Sequence, residues 1–374
     1  MLKKNINVLF TLAALSSVGS AFAAHLQMQT PASYKDAQAF DDSNLKVFIP
    51  NLQSGFEVSG GALWLKPGAS NLNYNILNKE LPVQSPSWHE QELTPSYAPA
   101  FELGVRYVFP NSGEDVTLNW VHLYSSTSNS IIAPNINFFL GPDYEIGPPA
   151  LVVRGSSANV KFRYDVVNLD AGQYLGFGHH LEMRFFGGLS TGFLREELTQ
   201  TWTGTSVGAY PGPFRVTQNS KSYFTGVGPR IGLHVDFNAA YGFGFLGEAA
   251  AAALIGGVDS QVGFNSSAVQ LERTFNGQTI NNQTIKDQHV YQVIPGFDAK
   301  LGINYKYAFS NNMLLTVSAG YQATVYINAI SEYQPSTLVD GQPISSGGIF
   351  VASMSHRLSN YSVQGPFLNF ALKI

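Results

Sequence analysis

The sequence predicts an all-β fold: an antiparallel transmembrane β-barrel of about 10–12 strands with short periplasmic turns and long extracellular loops, placed in the outer membrane of a Gram-negative cell. Three observations predict it. Charged residues are 12% of the chain, about half the usual share, while aromatics reach 13% and glycines number 36. Segments of strict two-residue alternation recur from Phe56 to the C-terminus. The links between these segments alternate between short and long.

The chain opens on Lys3 and Lys4, an apolar stretch from Val8 to Val18 and the tripeptide Ala21-Phe22-Ala23. Positive start, apolar middle and small-residue cleavage pattern read as a secretory signal peptide over residues 1–23. The apolar run is shorter than the roughly 20 residues a spanning helix needs. Residues 24–55 are polar and aperiodic and read as a periplasmic N-terminal segment. The barrel is expected over residues 56–374.

Lys221–Asn238 alternates most cleanly. Tyr223, Thr225, Val227, Ile231, Leu233, Val235 and Phe237 share one face, while Gly226, Gly228, Arg230, His234 and Asp236 share the other. Val290–Tyr307 sets Val293, Phe297, Leu301 and Ile303 against Asp298, Lys300 and Lys306. Ala100–Phe109 sets Phe101, Leu103 and Val105 against Glu102 and Arg106, and Leu181–Phe193 sets Met183 and Phe185 against Glu182 and Arg184. The C-terminus ends on alternating Leu368, Phe370, Leu372 and Ile374. Weaker strands are expected at Phe56–Lys66, Val116–Ser125, Asn159–Asp170, Gly242–Ile255 and Met313–Asn328.

Pro110–Glu114, Ala171–His179, Ala239–Tyr241 and Ala308–Asn312 are the short links. Long ones follow Lys66, Ser125, Phe193, Ile255 and Asn328, and Asn135–Leu140 and Ser260–Phe275 are candidates for extra hairpins. In a membrane barrel the short links are periplasmic and the long ones extracellular. A soluble sandwich has no reason to free one strand face of charge, whereas a charge facing lipid at the midplane costs about 2–4 kcal/mol. Aromatics gather at both strand ends, with Tyr107, Phe109, Phe237, Tyr305 and Tyr307 at the short turns and Tyr124, Phe193, Tyr223 and Tyr291 at the long loops. They read as two interfacial girdles.

Eight stretches in order resemble the Legionella-type major outer membrane proteins: Gly60–Pro67, Leu118–Leu123, Val166–Gln173, Met183–Leu189, Val227–Phe237, Gly247–Gly257, Asp298–Tyr307 and Gly320–Ile330. The resemblance implies a porin-like barrel in the cell outer membrane with a pore or surface role and no catalytic residues. The chain departs from the pattern in having no cysteine, which excludes inter-subunit disulfides, and in ending on Ile374 where an aromatic is usual.

Function is read in two ways. The favoured reading is passive diffusion of small polar solutes or ions through a lumen lined by Glu102, Arg106, Lys161, Arg163, Asp165, Glu182, Arg184, Arg230, His234, Asp236, Glu248, Asp298, Lys300 and Lys306. The alternative is a non-conducting structural or adhesive surface protein that works through its long loops. No enzyme, cofactor or metal site is expected. His179-His180 lacks a metal-ligand spacing, Gly226-x-Gly228-x-x-x-Gly232 lacks the dinucleotide spacing, and Ser355-His356 has no supporting catalytic motif. His122 falls on the lipid face of its strand near Tyr124. A net charge of −4 argues against nucleic acid as a partner. The partners expected are outer-membrane lipid, small solutes, a second copy of the chain, and host surfaces met by the loops. Because a closed sheet resists unfolding by detergent, the folded protein is expected to change its gel mobility on boiling. A mainly helical circular dichroism spectrum would exclude the barrel.

Overall fold

The computed structural model describes residues 47–374 except 51, 53, 80–87, 136–137, 143–144, 147–150, 208–210, 268–272, 276–277, 281, 288, 310–312, 336, 341–348 and 352–353. The expected signal peptide over residues 1–23, and residues 24–46 of the segment after it, lie outside the described residues. Residues 49–374 form one unit.

That unit is built on ten long strands: β1 Gly55–Ala69, β2 Ala98–Val108, β3 Glu114–Ile132, β4 Leu151–Phe177, β5 Leu181–Ser206, β6 Gly212–Ala240, β7 Phe243–Ser266, β8 Val290–Ala308, β9 Leu314–Pro335 and β10 Met354–Lys373. Each pairs antiparallel with the next, from Ala100↔Leu123 between β2 and β3 to Leu315↔Leu372 between β9 and β10. β1 then pairs on one side with β2 and on the other with β10, through Val58↔Val105 and Val58↔Leu372. Every one of the ten therefore has two neighbours, and the sheet closes into an up-and-down ring with no free edge. All the strands expected from alternation are present, each at its expected place.

Two features of the connections differ from expectation. Residues 171–177, expected as part of a turn, continue β4, and the turn shrinks to Gly178–His180, with Gly178 in the left-handed region at φ 64°. The long links are in good part strand. β5 and β6 stay in register from Leu181↔Phe237 to Ser206↔Gly212, far past the girdle residue Tyr223. Polar outer-face residues such as Thr199, Thr201, Thr203, Thr217 and Asn219 suit these upper sections to water rather than lipid. Of the extra hairpins expected, Phe138–Gly141 pairs with Asn73–Lys79, and Arg273–Phe275 pairs with Gln278–Ile280. Neither pair enters the ring, although residues 260–266 of the second candidate extend β7 and pair there with Asn282–Lys286; the ring is ten long strands, with Val47–Phe48 and Asn282–Lys286 as short additions to its sheet among the described residues.

The two faces separate as the alternation requires. Val227, Ile231, Phe297, Leu301, Leu103 and Phe370 are exposed on the outer wall, and Ile231 is 67% accessible while its neighbour Arg230 is 5%. Aromatic pairs ring the short-turn end, with Phe56 and Tyr107 at 4.8 Å, Phe243 and Tyr305 at 4.8 Å, and Tyr307 and Phe309 at 5.0 Å between ring centroids. Trp64, Tyr97, Tyr124, Tyr291 and Tyr321 stand exposed toward the long-loop end. Amphipathic rings of this kind sit at the headgroup level, so the apolar belt between them is the lipid-facing zone. Ile231→Arg is expected to lower refolding stability in lipid vesicles by about 2–4 kcal/mol, the cost of arginine facing lipid near the midplane. A cost below about 1 kcal/mol would place this face elsewhere.

Candidate functional site

The interior of the ring is the candidate site, and it has two storeys of different chemistry. The storey toward the short turns is ionic. Arg184 on β5 reaches Asp115 on β3, with Nε at 2.9 Å from both carboxylate oxygens and Nη2 at 2.8 Å. Arg230 on β6 lies between Asp170 on β4, which it contacts directly, Glu248 on β7 at 3.5 Å and Asp298 on β8 at 3.6 Å. Lys300 on β8 donates across the ring to both oxygens of Glu102 on β2, at 2.8 and 3.0 Å, and Asn119 donates to the same carboxylate at 2.5 Å. Arg106 donates to Glu57 and to the Tyr174 hydroxyl, each at 2.6 Å. His234 bridges Glu248 at 3.2 Å and Asp236 at 3.3 Å, and Lys306 stands 3.6 Å from Asp236. These are charge-assisted contacts, roughly twice as strong as neutral ones.

One aromatic ring organises this storey. Phe186 takes the guanidinium of Arg184 on its ring at 4.9 Å and that of Arg230 at 4.8 Å. Gly232 makes room for it, since a Cβ there would fall 2.3 Å from the Phe186 ring. The glycines of the 226–232 run thus keep the lumen face small, and Gly228 lies so close to β7 that a Cβ would meet the Ala253 carbonyl.

The storey toward the long loops is closed and mostly apolar, with Glu196, Gln200, Gln218 and Ser222 as buried polar side chains among its apolar ones. Leu65, Leu123, Phe162, Leu198, Leu254, Ile294 and Tyr361 point inward from seven different strands and are 0–1% exposed. Rings from opposite walls meet: Phe162 of β4 packs edge-on against Tyr361 of β10 at 5.6 Å, and Tyr164 lies 6.2 Å from both Tyr361 and Tyr326 of β9. The Tyr361 hydroxyl donates to the Arg163 carbonyl of the facing strand at 3.1 Å. Loop residues Leu72, Tyr74 and Leu93 pack into the same cluster from above. In the ionic storey, by contrast, the side chains of Glu57, Arg106, Glu248, Asp298 and Lys300 keep 15–26% of their surface.

Of the lining residues expected from sequence, Glu102, Arg106, Arg184, Arg230, His234, Asp236, Glu248, Asp298, Lys300 and Lys306 have their contacts within this ionic storey. Glu182 shares their face of the barrel at the short-turn rim, level with Asp236. Lys161, Arg163 and Asp165 do not line the lumen. Their strand carries the buried Phe162, Tyr164 and Val166 on the inner face, so the three ionic residues project outward, where Arg163 keeps 56% of its side-chain surface. The expectation placed charge inside and apolar residues outside. That rule fails here because the barrel is filled with apolar side chains at this height. His122 shares the outer face and meets Asp165 at 2.6 Å.

Alternation missed Glu57, Asp115 and Asp170, which carry much of the network. All three were legible by parity: Asp115 is in phase with Thr117 and Asn119, and Asp170 with Gly172 and Tyr174 once β4 is extended to Phe177. Ser355 and His356 are adjacent on one strand and are not brought together. Ser355 bonds the Gln334 carbonyl at 3.4 Å, and His356 bonds Ser331 at 2.9 Å. His180 bonds the Asn238 carbonyl at 2.8 Å, and no cluster of metal-ligating side chains occurs among the described residues.

A family model described as the Legionella pneumophila major outer membrane protein precursor matches residues 48–374. No curated protein matches the chain. Among solved structures, the outer membrane protease OmpT from Escherichia coli is similar at 9% identity, covering 89% of this chain and 99% of that one, with a TM-score of 0.35. A Pseudomonas aeruginosa FadL homologue is similar at 8% identity, covering 85% and 90%, with a TM-score of 0.25.

The two settings of charge make a paired test. Arg230→Ala leaves Asp170, Glu248 and Asp298 facing one another inside the ring and is expected to cost about 3–5 kcal/mol, as when one partner of a buried ion pair is removed. Arg163→Ala removes an exposed cation and is expected to cost less than about 1 kcal/mol. Urea unfolding in phosphatidylcholine vesicles measures both, and equal costs would contradict the inward and outward assignments.

Proposed function

Because the chain belongs to the Legionella major outer membrane protein family, a family of the cell outer membrane, we propose that it is a non-enzymatic outer-membrane barrel whose lumen is sealed in the folded state and whose working surface is its long-loop end. The observation that carries this reading is the apolar upper storey. A hydrated ion or polar solute crossing it would exchange most of its water for side chains such as Leu65, Phe162, Leu254 and Ile294, while the polar Glu196, Gln200, Gln218 and Ser222 among them are already bonded within the protein. Strand number agrees with this. Eight strands leave an interior that side chains fill and sixteen leave an aqueous channel, and ten strands stand near the filled end.

Porin-like passive diffusion of small polar solutes or ions is the second reading. It is favoured by the ionic storey, whose partly accessible walls carry both signs of charge. Under this reading the upper storey has to part, with Tyr361 and Phe162 swinging off each other. Planar-bilayer recording separates the two. The purified wild type is expected to carry no steady current, and Phe162→Ala/Tyr361→Ala is expected to leak. A steady unitary current from the wild type would establish the porin-like reading instead.

A further inference from the structure

On the outer wall, at the level of the long-loop girdle, β3 to β6 bring four cations together. In register, Tyr124 of β3 faces Arg163 of β4, Arg163 faces Arg195 of β5, and Arg195 faces Tyr223 of β6. One step further from the membrane, Lys161, Glu197 and Lys221 face one another across the same strands. Two arginines directly opposite on one face repel, yet only two carboxylates lie among these four cations. Asp165 is engaged by Arg163 at 2.8 Å and by His122 at 2.6 Å. Glu197 is shared by Arg195, by Lys221 at 4.0 Å and by the Tyr223 hydroxyl at 2.9 Å. Lys161 makes no ion pair among the described residues. Against its own two carboxylates the cluster keeps a surplus of two positive charges, with Asp259 of β7, paired to His289 at 2.8 Å, standing beside it opposite Tyr223. The cluster borders an open groove of about 480 Å³ lined by His122, Tyr124, Lys161, Phe162, Arg163, Arg195 and Glu197, in which three strong cations stand against one carboxylate.

Directly below this groove, toward the membrane, Trp120, Val167 and Phe193 give an apolar floor to a second groove that shares Arg163 and Arg195 with the first and has Asp165, already paired with Arg163 and His122, at its upper edge. Cations above and an exposed apolar channel below, on a wall that lipid touches, match one kind of molecule. We propose that this face binds a phosphorylated lipid of the outer leaflet, its phosphate held by Arg163, Arg195, Lys161 and Lys221 and an acyl chain laid along Trp120 and Phe193. The guanidinium of Arg195 stacks on Tyr223 at 4.4 Å and donates from Nε and Nη2 to Glu197, which together fix it in place at the groove. Among the described residues the cluster of four cations has no counterpart on the other strands, where β10 carries Arg357 opposite Glu332. Across the ring at similar height, the outer faces of β1, β8 and β9 carry Trp64, Tyr291 and Tyr321, with Lys66 as the single cation among these strands' upper outer residues.

Native mass spectrometry of the detergent-folded protein tests this with lipid A, a phosphate-bearing lipid, against phosphatidylcholine and inorganic phosphate. The wild type is expected to retain one lipid A in preference to phosphatidylcholine. Arg163→Ala/Arg195→Ala is expected to weaken that binding about thirtyfold, at about fivefold per basic side chain at an anionic surface. Lys66→Ala, on the far arc, is expected to leave it unchanged. Should the arginine pair fail to give a heat-modifiable barrel, Lys161→Ala/Lys221→Ala replaces it with the same expected direction. Undiminished lipid A binding by a folded double variant overturns the proposal, as does an equal loss from Lys66→Ala, which would mean diffuse attraction. Displacement of lipid A by inorganic phosphate at matching phosphate concentration also overturns it, because the site would then hold the free anion rather than the lipid.

Discussion

The structure depends on one constraint: hydrocarbon offers no partner to a backbone N–H or C=O, so a sheet immersed in it must leave none unpaired. The pairing of β1 with β10, from Glu57↔Lys373 to Ala69↔Tyr361, meets that constraint by joining the first strand of the ring to the last. Once the ring is closed, much else is fixed. Strand direction alternates, every side chain is assigned to lipid or lumen by parity, and a one-residue slip at any pair would exchange the faces. The apolar outer belt and the charged interior are the two consequences of that parity at membrane depth.

A ring of ten strands encloses a space that side chains can bridge, and the chain fills it in two ways. Near the short turns the bridges are ionic, and several run between strands that are not neighbours, as Lys300 to Glu102 and Arg184 to Asp115 do. Such contacts brace the ring against ovalisation in a way ladder hydrogen bonds cannot. Near the long loops the bridges are aromatic and aliphatic, and Tyr361 adds a hydroxyl tie to the opposite backbone. The two storeys are complementary. Ions that are desolvated need partners of good geometry, which the lower storey supplies, while the upper storey excludes water by packing.

The sequence made the ring readable because lipid enforces a rule that is visible at each residue. Wherever a strand crosses hydrocarbon, charge is absent from one parity, and the ten strands follow from that. The rule stops at the girdle. Above it, β4 and β5 face water outside and an apolar fill inside, so Phe162 and Lys161 exchange the places that membrane logic gives them. The short-turn ends blurred the reading differently. Asp115 and Asp170 stand where a strand merges with a turn, so the parity that points them inward is legible only when β3 and β4 are read to their full length. Cross-ring partners are the least legible of all, because the chain carries no local mark that Lys300 and Glu102, at opposite ends of the sequence, share one bridge.

The closed upper storey also bears on how many copies a cell can carry. Each open channel added to an outer membrane widens the route for every small toxic solute, so the number of open barrels is limited by what the cell must keep out. Under the sealed-lumen reading proposed above, a barrel stoppered by Phe162, Tyr164, Tyr326 and Tyr361 carries no such limit. Its surface density can rise until copies crowd the membrane, setting the texture of the cell's exterior while the permeability barrier stays as it was.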